Sequence, residues 1–213
     1  MSIRLRSEDG MTLTELMVAA AVLGVVLTIF LTVLVSMQKS FGRQTARSAS
    51  VDEARLAAEE LDREIRSGNV LYDPGAESDP LNDIAPGMSL RIYTQTNAGT
   101  RGNPGFRCVQ WRITNDQLQR RDWTVNWREQ PDVLVSGWRV VADHILNRSA
   151  SPQVPAFTLD TSQAAFGNRI VKIAIVANVA GSDAQNVEVD ESVTGRNTEF
   201  GYPNGVCADI PPY

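Results

Sequence analysis

The chain has 213 residues, 43% of them hydrophobic, and a formal net charge of −5. This length provides for one globular domain with its own core beside a long helix. The negative charge disfavours general affinity for nucleic acid or anionic lipid. Two cysteines and one histidine are too few to build a zinc site from these residue types.

The N-terminal region differs from an ordinary secretory signal, in which a small-residue cleavage site follows a short apolar core. Here a polar leader, MSIRLRSEDG, comes first, and residues 16–35 form an apolar run without a charge. No small-residue cleavage site follows this run. A helix of this length spans about 30 Å, the thickness of the hydrocarbon core of a bilayer, so the run predicts a membrane-spanning helix.

Glu15 is an acid at the beginning of this helix. A carboxylate on a membrane-inserted helix costs about 2.5–3.5 kcal/mol at the centre, and less near the interface, unless it has a partner. In a chain that began at Met11, Glu15 would lie one helical turn inside, about 6 Å deep. The bare N-terminal amine of an adjacent, similarly built helix would be a cation at this depth.

The stretch GMTLTEL at residues 10–16 resembles the prepilin, or class III, signal, with a leader glycine, a cleavage bond and a glutamate at the fifth mature position. The resemblance implies that a prepilin peptidase cuts between Gly10 and Met11 and methylates the Met11 amine. It also implies that Glu15 serves in subunit registration. The sequence departs from the family in two places: Met11 replaces the commoner Phe, and Thr32 stands where many major pilins have a helix-kinking Pro.

The alternative interpretation is an ordinary signal-anchor helix with an incidental acid. Basic residues flank the helix almost equally, so the positive-inside rule does not decide its orientation. They are Arg4, Arg6, Lys39, Arg43 and Arg47. The orientation therefore follows from the resemblance, which implies a cytoplasmic leader, a single pass through the inner membrane and an extracytoplasmic C-terminal domain. It also implies that the protein later lies in a filament or at the cell surface.

After the apolar run, the pattern becomes amphipathic, and no proline follows until Pro74. Apolar residues recur at spacings of three and four, which places them on one face of a helix. They are Val51, Ala54, Ala58, Leu61 and Ile65. We expect one helix over residues 12–67, with Gly42 as a weak point inside it and Gly68 as its C-cap.

Residues 72–87 predict a loop, because three prolines and two glycines stand among turn-forming residues. Asp73, Glu77, Asp79 and Asp83 cluster there. Oxygen-rich loops can bind Ca²⁺, but this spacing matches no calcium-loop signature. We therefore expect a solvated acidic loop.

The rest of the chain predicts short strands. The segments are 89–95, 106–113, 117–122, 133–135, 138–146, 156–159, 170–179 and 187–194. Asn115 and Asp116 predict the turn of a hairpin. The fold class is α+β: a long N-terminal helix, membrane-spanning in its first half, packs on a mainly antiparallel sheet in a pilin-like domain. The predicted boundaries are 1–10 for the leader, 11–37 for the hydrophobic helix, 38–68 for its amphipathic continuation and 69–213 for the β-rich domain.

The succession VQWRITNDQLQRR, VVADHILN, RIVKIAIVAN and VEVDESVTGRN, after the helix end LAAEELDREIRSG, resembles minor subunits of the PilW, PulJ and GspJ type. The resemblance implies a minor pilin or pseudopilin that helps initiate or cap a type IV pilus or a type II secretion pseudopilus. The implied partners are other pilins, the prepilin peptidase and the inner-membrane assembly platform. In such a filament, small residues would allow neighbouring helices to approach closely; they are Ala19, Ala20, Ala21 and Gly24.

Cys108 and Cys207 are the two cysteines, and they are widely separated in the sequence. In a domain exported from the cytoplasm, such a pair fits one long-range disulfide. The alternative is two buried free thiols.

Residues 88–130 carry seven arginines against three acids, a local net charge of +4. Interleaved aromatic and guanidinium groups can stack on bases and contact phosphates. The candidate DNA contacts are Arg112, Arg120, Arg121, Trp123 and Arg128. The alternative, which we favour, is that the tryptophan belongs to the core and that the arginines pack flat or pair with aspartates.

The sequence contains no catalytic constellation. His144 is a single histidine in a predicted strand, where we expect a structural role. The glycines of NAGTRGNPG lack the following helix and Lys-Ser/Thr of a phosphate-binding loop. We therefore expect no enzymatic activity, no cofactor and no bound metal. The alternative to a filament subunit is a single-pass, membrane-anchored binding module, for DNA uptake or an exported substrate, that does not polymerise.

Overall fold

The structure, a computed structural model, describes residues 10–77, 84–96, 105–162, 170–179, 186–196 and 205–212. The chain divides into two compact units, Met1–Thr45 and Ala46–Tyr213. The first helix, α1 (Leu13–Ser67), contributes to both units and continues through Gly42. Its predicted bounds, 12–67, differ from the observed ones by one residue. The domain boundaries predicted from the sequence stay predictions.

In the described part of the second unit, eight strands form two antiparallel sheets. The larger sheet has the strand order β1-β2-β3-β4-β5 and contains β1 (Gly68–Leu71), β2 (Ser89–Thr96), β3 (Gly105–Thr114), β4 (Gln117–Trp123) and β5 (Arg139–Ala142). The smaller sheet has the order β6-β7-β8 and contains β6 (Phe157–Asp160), β7 (Ile170–Ala177) and β8 (Val187–Thr194). The predicted α+β fold is confirmed.

The C-terminal part of α1 buries one face in the main core of the second unit. Its buried residues are Ser50, Ala54, Ala57, Ala58, Leu61 and Ile65. The prediction was wrong at Val51, which is 38% exposed. Ser50 is buried in its place because its hydroxyl accepts a hydrogen bond from the Val179 N–H at 2.8 Å and donates to the Ala46 carbonyl at 3.0 Å.

The main core joins α1 to both sheets. Leu61 and Ile65 of α1 belong to the same buried cluster as Trp111 of β3, Phe157 of β6 and Ile173 of β7. Full burial of one such side chain contributes about 1.5–3 kcal/mol. The two sheets and the C-terminal part of α1 therefore share one hydrophobic core.

The predicted C-cap at Gly68 is wrong, because this residue begins β1 and has no positive φ. A Cβ atom added there would lie 2.7 Å from Cγ2 of Ile92 and 3.0 Å from the carbonyl oxygen of Ile65. Close packing of β1 against β2, rather than a left-handed turn, therefore requires glycine at this position.

The predicted hairpin turn between β3 and β4 is confirmed. Asn115 and Asp116 have φ values of 51° and 55°, and the strands pair directly on either side of them, Thr114 opposite Gln117. Two consecutive residues with positive φ are typical of the turn that matches the twist of antiparallel strands.

The strands predicted at 133–135 and 138–146 are wrong or too long. The first overlaps α2 (Pro131–Leu134), a short helix that Pro131 begins, because proline has the φ of a first helical turn and needs no N–H donor there. The second is reduced to β5, since His144 has a φ of 57° and turns the chain out of the strand. The half-exposed His144 ring places Nδ1 3.7 Å from Oε2 of Glu53 on α1.

Glu191 of β8 lies near acids of α1. Its partial burial first, and then the Asp62 carboxyl, raise its pKa, while Arg66 opposes them. The folded chain therefore binds the proton of the Glu191 carboxyl more tightly than the unfolded chain does. The contribution of this proton to the free energy of unfolding is fully present below the ordinary pKa of glutamate. It is lost as the pH rises through the raised value.

Glu191→Gln is therefore expected to raise the melting temperature at about pH 7 and to change little at about pH 3.5, where the glutamate is already protonated. Thermal denaturation followed by circular dichroism at both pH values measures this. Glu188→Gln, an exposed position on the opposite face of β8, is the matched control and should show no such pH-dependent gain. A lower melting temperature of Glu191→Gln at neutral pH would contradict the interpretation.

Candidate assembly site at the N-terminus

The start of α1 is closed by a reciprocal pair of side chains, Thr12 and Glu15. The Thr12 N–H and the Thr12 hydroxyl each donate to Oε2 of Glu15 at 2.9 Å. In return, the Glu15 N–H donates to the Thr12 hydroxyl oxygen at 3.3 Å. This is a capping box, in which the residue before the helix and the third helical residue satisfy each other's backbone donors.

The capping box gives Glu15 hydrogen-bond donors within its own chain. Thr12 is thus a partner of this carboxylate that was not predicted from the sequence, where only the amine of another subunit was expected. The signal was present in the sequence, since Thr-x-x-Glu before an apolar run is the signature of such a cap. Both residues of the cap lie on the C-terminal side of the predicted cleavage bond.

The first unit presents an apolar helix surface on all sides. Every large apolar side chain from Met11 to Met37 is at least 40% exposed. By length and composition α1 can cross a membrane. Such an area of apolar side chains is unfavourable in water, so it requires lipid or protein around it.

Two threonine hydroxyls within this apolar surface are satisfied by the helix itself. The Thr28 hydroxyl donates to the Gly24 carbonyl at 2.8 Å, and the Thr32 hydroxyl donates to the Thr28 carbonyl at 2.7 Å. Hydroxyls bonded in this way can enter an apolar environment without an unsatisfied donor.

The predicted packing residues lie on this exposed helix surface. Ala19, Ala20, Ala21 and Gly24 are all exposed, and a Cβ atom added at Gly24 would meet nothing within 4 Å. Packing between subunits involves a second copy of the chain, so the role of these residues in packing stays a prediction. Gly10 and Met11, which flank the predicted cleavage bond, are exposed as well.

Residues 5–31 match the family model of the prokaryotic N-terminal methylation motif. The N-terminus of this chain therefore carries a methylation motif. The match includes Gly10, Met11 and Glu15 and supports a type IV pilin-like protein that α1 anchors in a membrane. No curated protein matches the chain. The match stops before the C-terminal half of α1 and covers none of the strands.

The predicted DNA contacts do not form one exposed surface. Arg120, Arg121 and Trp123 are only 9%, 3% and 1% exposed. Arg112 donates to Gln119 at 2.9 Å and stacks at 3.7 Å on the ring of Trp138.

Arg120 is a buried arginine of β4, and its side chain reaches α1. Its guanidinium donates to Glu64 at 3.0 Å and to Asp122 at 2.9 Å. A buried cation needs such partners, because desolvation without them costs several kcal/mol. The contacts favour a structural role for this residue.

The acidic loop is described only in part. The Asp73 carboxylate accepts the Gly75 N–H at 2.9 Å, and Glu77 forms a largely buried ion pair with Arg91 at 2.5 Å. Asp79 and Asp83 lie outside the described residues. Within the described ranges, no group of three or more His, Cys, Asp or Glu side chains is arranged to hold a metal ion.

The predicted disulfide between Cys108 and Cys207 is confirmed. It joins β3 to the C-terminal segment across a sequence separation of 99 residues. Both sulfurs belong to a second buried cluster with Tyr93, Trp123 and Trp127. This cluster lies on the face of the larger sheet opposite the main core, because Cys108 alternates along β3 with the core residues Val109 and Trp111.

Proposed function

We propose that this chain is a minor pilin or pseudopilin of the PilW, PulJ and GspJ type, which helps initiate or cap a type IV pilus or a type II secretion pseudopilus. The observation that carries the proposal is an acid capped at the first turn of an otherwise apolar, exposed helix, within the matched methylation motif. The β-rich unit would be the extracytoplasmic domain, and α1 would enter the filament core.

The proposed first step is removal of the leader. A prepilin peptidase would cut between Gly10 and Met11 and methylate the new amine of Met11. Both residues are exposed, and the Thr12–Glu15 capping box lies beyond the bond. Cleavage would therefore release the leader without changing the hydrogen bonds that start α1.

The proposed second step is exchange of the partners of Glu15. In a lone subunit, Thr12 supplies two donors to the carboxylate. In a filament, the methylated amine of a neighbouring Met11 would approach the same carboxylate. A charge-assisted hydrogen bond contributes about 1.5–3 kcal/mol, and it would place the neighbouring helix in a fixed axial register.

The proposed third step is movement of α1 from lipid to neighbouring helices of similar apolarity. The transfer requires little net change in hydrophobic burial, because both environments are apolar. Close contacts would form where Ala19, Ala20, Ala21 and Gly24 allow helices to approach. The inner-membrane assembly platform would guide this movement.

Mass spectrometry of the protein purified from its native host tests the proposal. We expect a mature chain that begins at Met11 and carries one N-methyl group. A chain that keeps residues 1–10, or one cut after the apolar run by ordinary signal peptidase, would contradict the proposal. Either of those results would favour the alternative, a single-pass anchored binding module that does not polymerise.

A further inference from the structure

The C-terminal segment crosses one face of the larger sheet. We call residues 205–212 the strap, and we call the sheet face that carries Cys108 and Trp123 the outer face. Cys207 of the strap is fully buried in the outer-face cluster, and Val206 and Ile210 pack against it in partly buried positions. The strap therefore covers aromatic side chains that would otherwise be exposed to water.

Arg91 binds the middle of the strap. Its Nη1 donates to the carbonyl oxygen of Cys207 at 2.6 Å. The guanidinium is held in place by Glu77 and by the ring of Tyr72, which lies 4.1 Å from it. The Tyr72 hydroxyl also accepts the Cys207 N–H at 2.9 Å.

Arg121 binds the end of the strap. Its Nη1 donates to the Pro212 carbonyl at 3.1 Å, and its Nη2 donates to the Pro211 carbonyl at 3.0 Å. Gln110 on the neighbouring strand accepts from Nε and Nη2 at 3.1 and 2.9 Å and so fixes the guanidinium. The donors are already oriented in the sheet, so binding the strap requires little further ordering.

A third contact lies at Asp209 of the strap. The exposed Arg128 donates to both of its carboxylate oxygens at 2.5 and 2.6 Å, and the pKa of Asp209 is lowered by this contact. The indole N–H of Trp127 donates to the Asp209 carbonyl at 3.2 Å. Polar contacts thus extend along the strap from Cys207 to Pro212.

We propose that the outer face is a docking surface for the strap of the same chain and that the strap stays closed when the Cys108–Cys207 bond is absent. A disulfide stabilises a fold mainly by restricting the unfolded chain, whereas the contacts of Arg91, Arg121 and Arg128 act in the folded one. Of the arginines predicted to contact DNA, Arg121 and Arg128 have the strap as a partner. Neither the contacts of the strap nor its opening requires that the chain enter a filament.

The rate of alkylation of Cys207 tests this proposal directly. In a Cys108→Ala variant of the full chain in detergent micelles, the Cys207 thiol is free of its disulfide but stays buried between the closed strap and the outer face. Its reaction with iodoacetamide is expected to be slower by about 30-fold or more than in the same variant unfolded in guanidinium chloride, because the thiol reacts only when the strap opens. Circular dichroism measured on the same sample reports whether the domain is folded.

Two further substitutions test the side-chain contacts of the strap. Adding Asp209→Ala and Ile210→Ala to the Cys108→Ala variant removes strap side chains and leaves the sheet unchanged. The alkylation of Cys207 is expected to accelerate by about tenfold. The matched control adds Asp190→Ala, an exposed acid on β8, which should leave the rate unchanged.

Alkylation of Cys207 at the unfolded rate in a folded Cys108→Ala domain would overturn the proposal, because the disulfide alone would then hold the strap. If this variant does not fold, the wild-type chain is folded first and then reduced with a phosphine. Mass spectrometry then follows alkylation of Cys207 with the same two outcomes.

Discussion

Glu15→Gln is expected to lower incorporation of the subunit into filaments by about tenfold or more and to leave its membrane insertion unchanged. The substitution removes the charge that would attract the Met11 amine of a neighbour. Loss of a charge-assisted hydrogen bond worth about 1.5–3 kcal/mol corresponds to at least this factor. Insertion depends on the apolar helix surface, which the substitution does not change.

Glutamine is the informative replacement because it can still form the capping box with Thr12. The control is Thr12→Ala, which removes the hydroxyl that donates to Glu15 and costs about 1 kcal/mol of helix-start stability, but which keeps the carboxylate. If Glu15 acted only as a cap, Thr12→Ala would impair incorporation and Glu15→Gln would not.

Quantitative immunodetection in sheared filaments and in the membrane fraction measures both variants against the wild-type chain. Normal levels of Glu15→Gln in filaments would remove the basis of the proposed registration. An equal loss from filaments and membranes would indicate a defect of insertion instead.

Cys108→Ser is expected to lower the free energy of unfolding of the β-rich unit by about 2–5 kcal/mol. The disulfide closes a loop across 99 residues, and chain-entropy models give a contribution of about 4.7 kcal/mol for a loop of this length. Urea denaturation followed by tryptophan fluorescence measures this. Trp111 and Trp123 are buried reporters, one in each cluster.

The double substitution Cys108→Ser and Cys207→Ser provides the control. The same single bond is lost, so the double variant should have nearly the same unfolding midpoint as Cys108→Ser. An unchanged midpoint in both variants would show that the bond contributes nothing to stability. This result would leave the docking of the strap untouched, since that proposal concerns the folded chain.

Features governed by local sequence were predicted well. The bounds of α1 follow from the apolar run, the later spacing of three and four, and the first proline at Pro74. The hairpin at Asn115 and Asp116 follows from residues that tolerate positive φ. The bounds of β8 agree with the prediction to the residue, because valines alternate there with polar side chains.

Features governed by distant contacts were not predicted. Ser50 is buried and Val51 exposed because the Val179 N–H requires an acceptor, and this residue is far away in the sequence. Gly68 was predicted to be a helix cap, but glycine is required there because the side chain of Ile92 leaves no room for a Cβ atom. The end of β5 depends on the φ of His144, which no apolar pattern reveals.

The same distinction between local sequence and distant contacts applies to the two candidate sites. The N-terminal motif lies within a few residues and was therefore visible, although its cap through Thr12 was missed. The strap could not be predicted from the sequence, because Arg121 donates to the carbonyls of Pro211 and Pro212 across about ninety residues. An excess of arginines in residues 88–130 gives no indication of whether their partners are phosphates or carbonyls.

The position of Glu15 in the first turn of α1 has an electrostatic consequence for the mature chain. Cleavage after Gly10 would create an ammonium group at the helix end where the peptide dipoles already give about half a positive charge. A carboxylate in the first turn offsets this repulsion, which otherwise costs about 0.3–1 kcal/mol. N-methylation keeps the positive charge. The Glu15 carboxylate would therefore still offset the charge of the N-terminal amine in a subunit that has not yet bound a neighbour.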